Sequence, residues 1–285
     1  MAEGFPFDLA PLRDMHRIAE GLGMRLMVVG ALARLLVFNR PFGIQAYRTT
    51  RDCDLAVRVE SWADFHRLRA AALDGAGLFR GSPSLHRLVH VSTGTSVDLL
   101  PFGALESDGA IIWADSGQRM DVTAFGDASE NAVEVELEPG LSVRVVSLPM
   151  LVALKLFAVN DRGATDDRDV RDLWHMVEHY PVAGQEERLI SQPLASLIDG
   201  DFNWDTDGAP LLLGYDMGRV CGERTRHRLL GILAKLTDPY SRWIAPLVSR
   251  IVDDQSELLR RQRIARAFRW LGTGAKVSGE GLPSA

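Results

Sequence analysis

Asp52 and Asp54 carry the clearest chemical content in this chain. They lie in the run Arg48-Thr49-Thr50-Arg51-Asp52-Cys53-Asp54-Leu55-Ala56-Val57. The apolar stretch Leu55-Ala56-Val57 follows at once, so the pair sits at the mouth of a strand and, two residues apart, points to one face. Two carboxylates about 4 Å apart at an effective dielectric near 20 repel by about 4 kcal/mol, a cost that a cation between them removes. An isolated Asp-x-Asp is more often a pair of solvated loop aspartates, but a third carboxylate changes the balance. In Ser96-Val97-Asp98-Leu99-Leu100 a lone charge interrupts an apolar strand, as expected of a carboxylate that is paired or bound to metal.

Bringing three acids together requires a particular set of elements. Residues 8–22 carry apolar side chains at helical spacing (Leu9, Leu12, Met15, Ile18, Leu22), and Gly21 and Gly23 end the pattern. Residues 24–29 read as a buried strand. Gly30-Ala31 then turns into a second helix through Leu32, Leu35 and Leu36, which Pro41 and Gly43 break. Ser61 and Asp64 form a capping pair for a helix over residues 62–73. Residues 85–91 and 95–100 read as a hairpin joined at Ser92-Thr93-Gly94. Neighbouring strands lie about 4.8 Å apart, so Asp98 reaches Asp52 and Asp54 if its strand runs beside theirs. Further strands are expected at 120–125, 132–137 and 141–146. This order implies an α/β (α+β) fold, a mixed sheet flanked by helices. Beyond Val146 the pattern is helical only: 147–160, a helix capped by Thr165 and reaching 179, then 192–198, 211–235, 241–252 and 255–271, with a loose Gly- and Ser-rich tail from Gly272.

The chain of 285 residues, 46% apolar and 25% charged, has the composition of a soluble globular protein of one large or two ordinary domains. Its longest apolar stretch, 26–38, is broken by Arg34 and is too short to span a bilayer. The start Met1-Ala2-Glu3-Gly4 lacks the features of a signal peptide, and two cysteines, Cys53 and Cys221, supply neither a disulfide framework nor a cysteine zinc site. A cytoplasmic protein with no membrane association is the expectation. Between Arg219 and Lys276 there are 13 Lys or Arg against 5 Asp or Glu, a surplus of 8, which leaves the remainder at −14 for a total of −6. A basic helical end on an acidic body can grip a polyanion, or can simply be a solvated arginine-rich face.

Three motifs in order, Arg48-x-Thr50-x-Asp52-x-Asp54, Val97-Asp98-Leu99-Leu100-Pro101-Phe102-Gly103, and Lys155-Leu156-Phe157-Ala158 with Asp161-Arg162 and Arg168-Asp169-x-x-Asp172-Leu173, resemble the AbiEii/MenT-type nucleotidyltransferase toxins of the polymerase-β-like superfamily. The resemblance covers roughly residues 20–180. It implies a nucleotidyltransferase catalytic domain over residues 1–147 and a helical domain over 148–285, the latter contributing Lys155 and Arg162 to the site. It further implies transfer of a nucleoside monophosphate from a nucleoside triphosphate to a hydroxyl, with pyrophosphate leaving. Two Mg2+ ions would be held by Asp52, Asp54 and Asp98, since oxygen-only ligands suit Mg2+. Asp98 would hold the ion that activates the acceptor hydroxyl, and the resemblance gives the same carboxylate the hydroxyl's proton. Gly30, Ala31, Arg48, Thr50, Lys155 and Arg162 are the implied triphosphate contacts. Lys155 and Arg162, seven apart on one expected helix, share a face. Lys155 can equally snorkel from an apolar helix, and Arg48 can pair with Asp52 instead of phosphate. Asp169 and Asp172 are assigned a supporting role, orienting Arg162 or Lys155. The superfamily usually has Gly-Ser or Gly-Gly where this chain has Gly30-Ala31, which removes a hydroxyl and leaves backbone N–H groups to hold phosphate.

Three further patterns carry less weight. His175-x-x-Glu178-His179 matches the inverted zinc-peptidase pattern but has no third ligand downstream, and Asn203-x-Asp205-x-Asp207-Gly208 matches a calcium loop only in part, so a solvated loop is expected. His86 and His90 are expected on one hairpin face beside Asp98, as core or surface histidines by default, with base or ribose contacts as the alternative. The leading function is nucleotide addition to an RNA 3′ end, in particular that of tRNA, by the toxin of a toxin–antitoxin or phage-defence pair with an antitoxin partner. The alternatives are a small-molecule, antibiotic-modifying nucleotidyltransferase and a catalytically weak nucleotide-binding module.

Overall fold

The computed structural model describes residues 7–46, 48, 50, 52–74, 77–163, 166–181, 185–248 and 253–279. The chain divides into two compact units, Met1–Leu151 and Val152–Ala285. In the first unit, helix α1 (Ala10–Gly21) starts with Pro11 in its first turn and buries Leu12, Met15 and Ala19, the stripe its apolar spacing demands. Strand β1 (Leu26–Val29) is buried along its whole length, as a short all-apolar strand covered on both faces must be. Gly30 opens α2 (Gly30–Arg34), which widens into a π-helical turn at Leu35–Asn39. Strand β2 (Asp52–Val59) and helix α3 (Trp62–Asp74) follow, and Ser61 Oγ accepts from the Asp64 N–H at 3.3 Å while donating to Asp64 Oδ2 at 2.9 Å, the expected cap.

Strands β3 (Phe79–Gly81), β4 (Arg87–His90) and β5 (Ser96–Gly103) come next, then a small hairpin of β6 (Ala110–Ile112) and β7 (Arg119–Asp121). The strand expected over 120–125 therefore stops at Asp121. Asp121 Oδ1 accepts from the Thr123 N–H at 3.0 Å, which turns the chain, and Phe125 begins helix α4 (Phe125–Glu130). Strands β8 (Val133–Glu138) and β9 (Leu141–Val145) complete a sheet ordered β3-β4-β5-β2-β1-β9-β8 among the described residues. Pairs β2–β5 and β1–β9 are parallel and the others antiparallel, so the sheet is mixed. Glu134, Glu136 and Glu138 alternate along the edge strand β8, charges that discourage edge-to-edge pairing.

Helix α5 (Leu148–Arg162) leads into the second unit. There α6 (Arg168–Glu178) and the short α7 (Glu186–Leu189) precede a 3₁₀ turn at Leu194–Leu197. The expected Thr165 cap lies outside the described residues. The helix expected over 192–198 is only that 3₁₀ turn, with Pro193 as its N-cap residue. The helix expected over 211–235 is two, α8 (Trp204–Val220) and α9 (Glu223–Ala234), separated at Cys221-Gly222 where the backbone becomes extended. Of the 241–252 helix, α10 (Ala245–Val248) is described. Helix α11 (Asp254–Val277) runs through Gly272 and Gly274, so the tail expected to be loose from Gly272 is helical to Val277. The cause is packing. α8 and α11 cross so closely that a Cβ on Gly274 would meet the Leu211 carbonyl oxygen at 2.2 Å, and one on Gly214 would meet that of Leu271 at 2.0 Å. Glycine costs helix propensity, and here the contact it permits outweighs that cost.

Candidate active site

Strands β2 and β5 lie side by side, and their register pairs Asp54 with Asp98 and Asp52 with Ser96. Directly paired residues of neighbouring strands share a face, and Asp52, two residues before Asp54, shares it too. The three acids therefore meet on one side of the sheet. On the other side Cys53, Leu55, Val57, Val97 and Leu99 are fully buried. That burial fixes the register, because a slip of one residue would drive the carboxylates into the core. The Cys53 thiol is pushed well above its usual range, first by burial and then by Asp54, Asp98 and Asp52, so it is an inert core group.

Gly30 positions the first acid pair. Its φ is +68°, and a Cβ there would stand 1.9 Å from Asp54 Oδ2. Only glycine lets the backbone at the start of α2 come this close to the carboxylate. Ala31 is buried beside it. Thr50 Oγ1 donates to the Asp52 carbonyl at 3.0 Å, bracing the entry to β2, and the Arg48 carbonyl accepts from Arg34 Nη2 at 3.5 Å.

The expected histidines do not flank Asp98. His90 is buried and bonded to Thr93 Oγ1 at 2.9 Å and Asp14 Oδ2 at 3.1 Å, while the His86 ring stacks at 5.2 Å on Trp113. The cross-strand partner of Asp98 is Arg87, whose Nε donates to Oδ1 and Nη2 to Oδ2, each at 2.7 Å. A hairpin closed at 92–94 would set Leu88 opposite Asp98; the loop instead takes in Val91, with the His90 N–H donating to the Thr95 carbonyl at 2.9 Å, and this shift of one residue brings Arg87 there. The hydrogen bond to Asp98 chiefly raises the guanidinium pKa, burial opposes this, and the charges of Asp98, Asp52 and Asp54 add to it.

In the second unit Lys155 sits at the centre of a closed ion network. Its Nζ donates to Asp169 Oδ1 at 2.7 Å and to Asp172 Oδ2 at 2.9 Å, and Arg162 Nε donates to Asp169 Oδ2 at 2.6 Å. Lys155 and Asp169 are buried and Asp172 is fully so. Burial works against the Lys155 charge, yet Asp172 and Asp169 outweigh it and raise its pKa. Burial likewise opposes ionisation of Asp169, and Lys155 and Arg162 outweigh it, so the carboxyl is held below its usual range.

Two patterns set aside earlier have structural roles. Asn203 caps α8 by accepting from the Asp205 N–H at 3.0 Å. Asp207, expected in a solvated loop, is buried and gripped by Arg266 Nη2 at 2.6 Å, because α11 carries an arginine across the start of α8. Glu178 of the peptidase-like pattern pairs with Arg263 at 3.1 Å.

The donor set on the sheet face suits a hard divalent cation: every donor is a carboxylate oxygen. Among the described residues no group of three or more His, Cys, Asp or Glu is arranged to hold a metal as it stands. Both oxygens of Asp98 accept from Arg87. Mg2+ needs only one or two carboxylates when waters and substrate phosphates complete its shell, and Asp52 and Asp54 meet that need.

No curated protein matches the chain. A solved structure, that of the Bradyrhizobium diazoefficiens CD-NTase CdnG in complex with GTP, is similar at 12% identity and a TM-score of 0.27, covering 94% of this chain and 82% of that one, a likeness too slight to carry a conclusion. Among the described residues no helix is long and apolar enough to cross a membrane. The model of the family described as "Nucleotidyl transferase AbiEii toxin, Type IV TA system" matches residues 18–207. That span is well over half of the chain and takes in the β2 and β5 carboxylates together with the Lys155 motif. The chain therefore belongs to the AbiEii nucleotidyltransferase toxin family and is a nucleotidyltransferase.

Proposed function

We propose that this chain transfers a nucleoside monophosphate from a nucleoside triphosphate to a 3′ hydroxyl of RNA, with tRNA as the foremost acceptor. The observation that carries this reading is the register of β2 and β5, which sets Asp54 against Asp98 with Asp52 on the same face. Asp52 and Asp54 would hold Mg2+, which when bound offsets charge on the triphosphate and on the attacking and leaving oxygens. Asp98 would join them in holding the ion that activates the acceptor hydroxyl, and would take the proton that hydroxyl loses. The close backbone at Gly30 brings main-chain N–H groups to the same place. The family motif supports Lys155, Arg162, Arg48 and Thr50 as triphosphate contacts, with Asp169 and Asp172 holding the first two in position. The surplus of arginine between Arg219 and Lys276 supports a polyanionic acceptor, and the family description supports an antitoxin partner.

The test is incubation of the purified protein with bulk RNA, Mg2+ and each α-labelled triphosphate in turn. RNA extension with release of pyrophosphate is expected, and Asp52→Ala should abolish it. Absence of extension with all four nucleotides would count against an RNA acceptor, and labelling of an aminoglycoside in its place would favour a small-molecule acceptor.

A further inference from the structure

Arg87 has no place in the reaction as described, yet it grips one of its three acids. The guanidinium meets Asp98 as a two-point fork, with both contacts at 2.7 Å. Such bidentate charge-assisted pairs are among the strongest polar contacts a side chain makes. Asp98 is 12% exposed at its side chain, whereas Arg87 is 40% exposed. The acid is fixed in the sheet, and the cation stands at the rim with room to turn outward on a flexible stem. A divalent ion seeking Asp98 must take an oxygen that Arg87 already holds.

We propose that Arg87 is a positioning residue that latches the third carboxylate, so that a divalent cation gains Asp98 only as the Arg87 fork lets go. This rests on the reading of Asp52, Asp54 and Asp98 as metal ligands. The latch follows from linkage: a cation binding only the unlatched form has its apparent affinity multiplied by the unlatched fraction. Released, the guanidinium suits a phosphate oxygen of the substrate, since the same fork that matches a carboxylate matches phosphate. The latch therefore ties completion of the acid cluster to arrival of phosphate.

Calorimetric titration of the full chain with Mn2+ alone, without nucleotide, tests the proposal. Arg87→Ala should bind Mn2+ at least about tenfold more tightly than the unaltered protein, the equivalent of about 1.4 kcal/mol. In an Asp98→Ala background the same change should leave affinity within about twofold, because the coupling runs through that carboxylate. Tightening that persists without Asp98 would show a general charge effect and overturn the latch. Equal or weaker binding by Arg87→Ala, with the unaltered protein binding Mn2+, would overturn it while leaving the metal reading intact. If neither protein binds Mn2+, the metal reading itself fails and the latch falls with it. Circular dichroism checks the fold, and should Arg87→Ala not fold, Arg87→Lys, which keeps the charge and loses the fork, decides by the same criterion.

Discussion

Each unit of this chain buries carboxylates, and the two satisfy them in opposite ways. In the second unit Asp169 and Asp172 share Lys155 and Arg162, two anions against two cations, with contacts of 2.6 to 2.9 Å and Asp172 sealed from solvent. In the first unit Asp52, Asp54 and Asp98 crowd one sheet face, and Asp52 and Asp54 remain partly accessible. The first arrangement is a charge-balanced knot that holds helices α5 and α6 together. The second sets three carboxylates on one face, with Arg87 bonded to Asp98 and with Asp52 and Asp54 partly open to solvent. Folding tolerates such crowding where function requires it, so substitutions in the two clusters should trade stability and activity in opposite senses.

The sharpest contrast is between removing one member from each cluster. Lys155→Met leaves Asp169 and Asp172 short of a buried partner and should cost about 3–5 kcal/mol in urea unfolding. Asp52→Ala should lower transfer by at least about 10³-fold, the scale of losing a group that acts in the transition state, with unfolding unchanged or shifted toward greater stability. A large stability loss from Asp52→Ala would erase the distinction.

Glycines draw the same line with smaller effects. Gly274→Ala, whose Cβ would press on the Leu211 carbonyl, should cost about 1–3 kcal/mol as α8 and α11 are forced apart. Gly30→Ala should cost about 1–2 kcal/mol from its left-handed backbone and, unlike Gly274→Ala, should also lose activity, since its Cβ displaces Asp54. Transfer intact in Gly30→Ala would contradict the account of that turn.

Acid should reach the balanced cluster only below about pH 4. Asp169 has a lowered pKa, so its stabilisation is complete above the unfolded value of about 3.9 and is lost as pH falls below that through the folded value. Lys155, with its pKa raised, contributes fully below about 10.4 and loses its contribution as pH rises through the folded value. Between these limits the network is fully charged. Unfolding measured against pH should fall more gently below about 4 in Asp169→Asn than in the unaltered chain.

Local pattern made much of this legible. The alternation through Asp52-Cys53-Asp54-Leu55 announces a half-buried strand, and Ser61 with Asp64 announces a cap, because both signals reside in a few adjacent residues. Asp98 was recognisable as a charge that an apolar strand would not carry without purpose. What escaped depends on residues far apart in the chain. The Arg87–Asp98 pair needs the hairpin register, not just the hairpin. Asp207 reads as a loop acid until α11 brings Arg266 to it, and Gly272 and Gly274 read as a helix breaker until α8 supplies the backbone they pack against. The turn to α4 is hidden because Val122 and Phe125 suit either a strand or a helix.

The central claim is that β2 and β5 assemble a divalent-cation site. Crystals grown with Mn2+ and a non-hydrolysable triphosphate, measured at the manganese absorption edge, test it most directly. The account predicts an anomalous peak within coordination distance of Asp52 and Asp54, with the triphosphate on the same ion. Triphosphate bound without an ion at these carboxylates, or manganese bound elsewhere in the chain, would contradict it.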